Sequence, residues 1–198
     1  MQTAHPIQAA APVSFVPRNA TLVDKAILAV AGSVFVAICA HVSVPLWFTP
    51  VPLTLGNMAV ILVGLCLGPS TAFAAMVLYL CEGAMGMPVF NPGGPAGMAH
   101  LMGPNAGYLF AYPVAAAVAG YLAKAISLRG SKYVAGIVGS VAGTALVIAC
   151  GVSWLASLLH LNAAMAFKLG AAPFLPGEVI KVAAAAGIYS AIARWRKA

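Results

Sequence analysis

The sequence predicts an all-α integral membrane protein with about six transmembrane helices, both termini in the cytoplasm, and outer loops that cap an extracellular-facing pocket. Of its 198 residues, 63% are hydrophobic and only 7% are charged, and the mean hydropathy is +1.00. A water-soluble domain of this size cannot bury so much apolar surface. The apolar runs carry little strand signature, so a helical bundle is the architecture that satisfies their backbone in lipid.

Six apolar runs reach or approach the roughly 20 residues that a helix needs to cross the hydrocarbon. The second and third are short and are separated by the tight turn Gly68-Pro69-Ser70. We predict helices over residues 23–44, 53–67, 71–83, 107–126, 134–161 and 173–193. They form one membrane domain, residues 22–198, after a flexible cytoplasmic tail, residues 1–21, which lacks the basic start and apolar core of a signal peptide.

The basic residues predict the orientation of this bundle. With a cytoplasmic N-terminus, the inner side receives Arg18, Lys25, Lys124, Arg129, Lys132, Arg194, Arg196 and Lys197. Only Lys168 falls in an outer loop, and Lys181 lies within the sixth span. This asymmetry follows the positive-inside rule and accounts for the net charge of +7 without a nucleic-acid partner.

Three outer connections, residues 41–52, 86–105 and 160–172, hold seven of the fourteen prolines and six of the twenty glycines. Irregular backbone at a membrane needs protein or a water-filled cavity to satisfy it, so we expect these loops to fold over a pocket. In the middle loop, Gly93, Gly94 and Gly97 would allow positive φ and let N–H groups converge on an anion. Asn105 would cap the helix that follows. The alternative is a compact cap of turns without a ligand.

Three further features each leave two interpretations open. Trp47 and Phe48 in the first loop are either interface aromatics or pocket walls. The amide of Asn57, one turn into a membrane helix, needs a partner in a pocket or on another helix. A stripe of small residues on the first helix permits close approach of a helix from this bundle or from another subunit; its members are Ala29, Ser33 and Ala37.

The sequence also places two charges inside the sixth span. Glu178 and Lys181 are three residues apart and share one helix face. Pro173 and Pro176 suit a helix start, which puts Glu178 near the positive end of the helix dipole. Charges within a membrane are costly and usually face a cavity or a bundle interior, so the pair predicts a binding site. The alternative is a buried pair that only holds helices together.

Several chemistries have no motif in this sequence. It contains no P-loop, no H-E-x-x-H and no G-x-S-x-G, and its four histidines lack metal-ligand spacing. Cys39, Cys66, Cys81 and Cys150 stand alone in apolar runs and indicate packing rather than disulfides or zinc. Glu82, at the end of the third helix, is interpreted as an interfacial charge. We therefore expect no metal site and no catalytic residues.

Three motifs together resemble the BioY family, the biotin-binding S components of energy-coupling-factor (ECF) transporters. They are Thr49-Pro-Val-Pro-Leu-Thr54, the loop from Gly86-Met-Pro-Val-Phe90 to Gly103-Pro-Asn-Ala-Gly-Tyr108, and Pro173-Phe-Leu-Pro-Gly-Glu-Val-Ile-Lys181. The resemblance implies a six-helix subunit of the bacterial cytoplasmic membrane that captures biotin for uptake. It also implies a transmembrane coupling subunit and ABC-type ATPase partners, which use the ATP, whereas this chain needs no cofactor. In such proteins small residues on helix one form the docking face.

The resemblance also suggests roles in the site. Glu178 would accept from the ureido N–H groups of biotin while Lys181 donates or pairs with the acid. Apolar walls would come from aromatic side chains: Trp47, Phe48, Phe90 and Tyr108. The biotin carboxylate would meet the glycine-rich loop, Asn91 or Asn105.

The sequence departs from the family pattern at three places. Glu178 stands where Asp is more frequent, and Asn105-Ala106 replaces Thr/Ser-Gly. Gly56 replaces a common Gln, so a pocket hydrogen bond either comes from Asn57 or is missing. Two other hypotheses are an S component for a different vitamin and a small intramembrane enzyme that uses Glu82 or Glu178 as acid or base.

Overall fold

A computed structural model of the protein describes residues 16–17, 19–128 and 131–195. This part of the chain forms a helical bundle with one short two-stranded ribbon. The helices are α1 (Leu22–His41), α2 (Gly56–Leu67), α3 (Pro69–Ala84), α4 (Ala106–Ser127), α5 (Lys132–Leu158), α6 (Ala163–Gly170) and α7 (Leu175–Trp195), and a 3₁₀ helix covers Gly97–Met102. The strands are β1 (Ser43–Val44) and β2 (Leu53–Thr54). The predicted tail lies outside the described residues except for its last few positions.

Four helices of the described part, α1, α4, α5 and α7, are long and apolar enough to cross a membrane. The other two predicted segments correspond to α2 and α3, which have 12 and 16 residues. All six predicted segments therefore coincide with helices, although their ends differ. The basic residues Arg18, Arg129, Arg196 and Lys197 of the orientation argument lie outside the described residues.

The central helix is α2, where every residue except Met58 is buried. It packs against α1, α3, α4, α5 and α7, which explains why its sequence is apolar on all sides. Close packing depends on glycine: a Cβ on Gly64 would lie 2.4 Å from the carbonyl oxygen of Ala116 in α4. The backbones of α2 and α4 therefore touch directly. By contrast, a Cβ on Gly187 in α7 would meet no atom within 4 Å.

The small-residue stripe of α1 is used within this chain. Ala29 and Ser33 are buried and Ala37 is half-buried, and the Ser33 hydroxyl donates a hydrogen bond to the carboxylate of Glu82 in α3. Of the two interpretations of the stripe, close approach within the bundle is the one that the described contacts support. The docking face implied by the family resemblance is not presented outward at Ala29 or Ser33.

The helix ends differ from prediction for identifiable reasons. Helix α1 begins earlier because Thr21 and Asp24 form a capping box. It stops at His41 because the chain turns into β1, which pairs with β2 in antiparallel register: Ser43 faces Thr54 and Val44 faces Leu53. The predicted start of the second helix at residue 53 was therefore wrong.

A separate short helix, α6, was not predicted. Helix α5 ends at Leu158 because His160 adopts φ of 51°, and the N–H of Leu161 returns to the carbonyl of Ala156. Asn162 then caps α6 by accepting from the N–H of Met165 at 2.8 Å. Helix α7 starts at Leu175, so Glu178 does lie in its first turn, as predicted.

Candidate functional site

The three loops that join α1 to α2, α3 to α4 and α5 to α7 meet around one cavity at the end of the bundle. About 680 Å³ of space lies between its atoms and in its open mouth. Its lining is mainly apolar and aromatic: Ala40, Val51, Pro52, Leu53, Tyr79, Leu109, Tyr112, Val147, Ile148 and Phe174. The polar lining comprises Thr54, Asn57, Asn91, Asn105, Tyr108, Glu178 and Lys181.

The predicted charged pair lies in this cavity wall. The Lys181 Nζ atom is 2.7 Å from Glu178 Oε1, and both side chains are about 10% exposed. Lys181 Nζ also donates to the backbone carbonyl of Thr54 in β2 at 2.6 Å. An ammonium group has three N–H donors, so these two bonds leave one donor for the cavity.

Asn57 in α2 joins Glu178 and Lys181, and we call these three side chains the polar centre. Its Nδ2 donates to Glu178 Oε2 at 2.6 Å and lies 3.4 Å from the hydroxyl of Thr144. Because a carboxylate offers only acceptors, the amide must turn its NH₂ toward Glu178, which fixes its orientation. Asn57 Oδ1 is then buried with no partner, a state that costs free energy unless a donor arrives.

A second unpartnered acceptor lies elsewhere in the lining. Asn105 Oδ1 is buried without a hydrogen bond, and Asn105, although it precedes α4, makes no side-chain cap. The capping role predicted for it was therefore wrong. Asn91 lines the same cavity, so both asparagines named from the sequence reach it.

Tyr108 also reaches the cavity, through space that two glycines provide. A Cβ on Gly151 would lie 2.1 Å from the Tyr108 ring, and a Cβ on Gly170 would lie 2.6 Å from its hydroxyl. That hydroxyl donates to the Gly170 carbonyl at 2.7 Å. The ring is thus held between α5 and the end of α6.

Other predicted site residues lie away from the cavity. Trp47 is 96% exposed and Phe48 is also exposed, and neither contributes to the lining. Phe90 is buried beside Gly83 and stacks on His100 with ring centroids 4.9 Å apart. Phe90 therefore packs within the middle loop instead of lining the cavity. Tyr79 and Tyr112, which were not predicted from the sequence, form the aromatic wall.

The glycine-rich segment does not form the predicted anion site. Gly93 and Gly94 are exposed, and of the three named glycines only Gly97 has a positive φ, 68°. None of them lines the cavity. A Cβ on Gly94 would lie 2.9 Å from the His100 ring, so this glycine makes room for a buried histidine.

His100 organises the middle loop. It is 3% exposed, and its Nδ1 lies 3.0 Å from the carbonyl oxygen of Pro95, while its Nε2 is buried without a partner. Burial lowers the pKa of His100, and the hydrogen bond to Pro95 partly opposes this shift. The neutral ring is therefore the form that fits the loop.

No group of three or more potential metal ligands occurs among the residues that the structure describes. The lining of the cavity combines one neutralised charge pair, three asparagines and aromatic walls. Such a site can recognise an uncharged polar group at its centre.

The BioY family model matches residues 9–198. Relatives include a probable biotin transporter BioY of Pyrococcus horikoshii, 38% identical over 69% of this chain and 76% of that protein, and a biotin transporter BioY of Rhizobium etli, 32% identical over 82% and 89%. The crystal structure of the S-component for biotin from an ECF-type ABC transporter matches with a TM-score of 0.77 and 25% identity, over 89% of this chain and 92% of that one.

Proposed function

This chain belongs to the BioY family, and from that premise we propose that it is the biotin-binding membrane subunit of an ECF-type transporter, which captures biotin for uptake. It is a transport protein and not an enzyme, because its family and its relatives are transporters. Both carboxylates that an enzyme could use as an acid or base are engaged in hydrogen bonds. Glu178 accepts from Lys181 and Asn57, as expected of a binding group, and Glu82 accepts from Ser33.

One observation supports the choice of ligand: the cavity wall contains an orphaned acceptor and a spare donor within one hydrogen-bonded cluster. Asn57 Oδ1 has no partner, and Lys181 retains one N–H beyond its bonds to Thr54 and Glu178. The ureido ring of biotin offers N–H donors on either side of a carbonyl acceptor. We assign an N–H to Asn57 Oδ1 and the ureido carbonyl to Lys181.

The rest of the cavity suits the rest of biotin. Tyr79, Tyr112 and Val147 provide apolar surface for the fused rings and the valeryl chain. The carboxylate then reaches the asparagines Asn91 and Asn105, whose amide can turn to present N–H donors. This assignment replaces the glycine-rich loop of the sequence-based prediction.

We further propose the membrane arrangement and the partners. The cavity opens to the outside and both termini lie in the cytoplasm, with α2 and α3 completing six membrane helices. The bacterial cytoplasmic membrane is the location, and uptake uses a transmembrane coupling subunit with ABC-type ATPases. ATP is consumed by those partners, and this chain carries no cofactor. The similarity to a solved S-component of an ECF-type ABC transporter supports this assembly.

The test begins with the detergent-solubilised protein. Mass spectrometry of the small molecule released on denaturation is expected to identify intact biotin, and the ligand-free protein is expected to rebind it saturably. Binding of 2-iminobiotin, in which C=NH replaces the ureido C=O, is expected to be at least tenfold weaker near neutral pH, because the protonated group has no acceptor for Lys181. Folded protein that binds another vitamin instead of biotin would refute the assignment.

A further inference from the structure

The roof of the cavity contains an element that is weakly packed onto the bundle. Only Ala166 and Gly170 of α6 are buried. The turn that follows it brings Phe174 into the cavity lining together with Gly170. We call residues 163–174 the lid, since they lie over the ligand space and join α5 to α7.

The lid ends in two carbonyl groups that its own helix cannot satisfy. The carbonyl of Leu169 would normally accept from the residue four positions later, but that residue is Pro173, which has no N–H. The N–H of Phe174 bonds to the carbonyl of Ala171 and so leaves the carbonyl of Gly170 free of an intrahelical donor.

Two hydroxyl groups from other parts of the chain supply the missing donors. Thr49 Oγ1 donates to the Leu169 carbonyl at 2.8 Å, and the Tyr108 hydroxyl donates to the Gly170 carbonyl at 2.7 Å. Thr49 lies in the loop between β1 and β2, is buried, and is not part of the cavity lining. The first bond therefore joins the first loop to the lid without touching ligand space.

A small apolar cluster lies beneath these bonds. Val51, Leu155 and Phe174 are buried together, with Leu46 and Leu169 packed against them. Val51 and Phe174 also line the cavity. Separation of the lid from the first loop would open this cluster and expose the cavity.

We propose that the lid is the element that opens to release the ligand, and that Thr49 is a positioning residue that holds it closed. This inference rests on the proposed function only for the identity of the ligand, biotin. Tyr108 makes the second bond but also lines the cavity, so it cannot separate lid closure from ligand contact. Thr49 and the cap Asn162 act on opposite ends of α6 and do not line the cavity.

The experiment measures association and dissociation of labelled biotin on the solubilised full chain. Thr49→Val keeps the shape but removes the hydroxyl that donates to the Leu169 carbonyl and accepts from the N–H of Val51 at 3.3 Å. It is expected to release biotin about three- to tenfold faster. Because a lid that opens for release also opens for entry, association is expected not to become slower. Thr49→Ser keeps the hydroxyl and is expected to release biotin at the parent rate. Asn162→Ala removes the cap of α6 and is expected to accelerate release about two- to tenfold.

Thr71→Val is the matched control, because Thr71 is equally buried but lies in α3 outside the cavity, and it is expected to leave both rates unchanged. Dissociation of the Thr49→Val variant at the parent rate, or a loss of affinity that comes only from slower association, would overturn the proposal. Asn162→Ala decides by the same criterion should Thr49→Val not fold. A folded parent that fails to bind biotin would instead refute the proposed function.

Discussion

Replacement of Lys181 by methionine tests the polar centre most directly. The substitution keeps a long apolar stem and removes the ammonium group that contacts Glu178 Oε1 at 2.7 Å and the Thr54 carbonyl at 2.6 Å. It therefore leaves one buried carboxylate without its counter-ion and one loop carbonyl without its donor. In the proposed complex it also removes the donor to the ureido oxygen.

Typical energies of such contacts give the expected size of both effects. Loss of one charged hydrogen bond to ligand costs about 1.5–3 kcal/mol, or roughly a 10- to 100-fold increase in Kd. Loss of one partner from a buried ion pair destabilises a protein by about 3–5 kcal/mol, because the remaining charge is uncompensated. We expect Lys181→Met to show both, with weaker biotin binding and a lower midpoint of thermal unfolding.

A double variant separates the two effects. Glu178→Gln/Lys181→Met leaves no orphaned charge, so its unfolding midpoint is expected to return close to that of the parent while biotin binding stays weak. Lys124→Met, at an exposed position in the last turn of α4, is the control for loss of a positive charge and is expected to bind normally. Titration calorimetry and thermal unfolding of the solubilised proteins are the assays. A folded Lys181→Met protein with a Kd within twofold of the parent would refute the proposed site.

Three further predictions concern single positions. Asn57→Leu removes the orphaned acceptor together with the donor to Glu178, and it is expected to weaken biotin binding about 5- to 100-fold in calorimetry. Unchanged affinity would contradict the assigned contact. Gly64→Ala is expected to lower the free energy of unfolding by about 1–3 kcal/mol, because its Cβ would clash with the Ala116 carbonyl. Gly187→Ala, where a Cβ meets no neighbour, is expected to stabilise the protein slightly. Equal effects of the two substitutions would contradict the close contact between α2 and α4. Because the pKa of His100 is lowered in the folded protein, the stability that this residue contributes is present above about pH 6.5 and is lost as the pH falls below that value. The unfolding midpoint of the parent should therefore drop more steeply toward pH 5 than that of His100→Gln. Parallel curves for the two proteins would contradict this prediction.

The sequence could predict the helices and the charged pair because both leave signals within short stretches. Apolar runs near the length of a membrane span correspond to the observed helices, and charges inside such a run mark a cavity by their cost alone. Asn57 was accessible by the same reasoning, since a buried amide in a membrane helix needs a partner. All three side chains meet in the cavity wall.

The aromatic wall could not be predicted in this way. Tyr79 and Tyr112 lie inside apolar helices, where the sequence pattern does not distinguish an aromatic residue that faces lipid from one that faces the core or a ligand. Trp47 and Phe48 lie in an outer loop and were therefore selected, yet Trp47 is almost fully exposed. Which aromatic side chains reach the cavity depends on the rotation of each helix, and that rotation is set by glycine contacts such as that of Gly64 with Ala116.

The polar centre and the closure of the cavity depend on one another through the first loop. Lys181 in α7 bonds to the carbonyl of Thr54 at one end of this loop, and Thr49 five residues earlier bonds to Leu169 in the lid. A ligand carbonyl that binds Lys181 therefore affects a side chain that is already bonded to the first loop, and this loop in turn holds the lid through Thr49. Because β1 and β2 contribute only two residues each, the loop has little structure of its own, and its position follows from these side-chain bonds. Variants at Lys181 and Thr49 should therefore be non-additive in biotin dissociation, whereas Lys181 and Gly187 variants should combine additively.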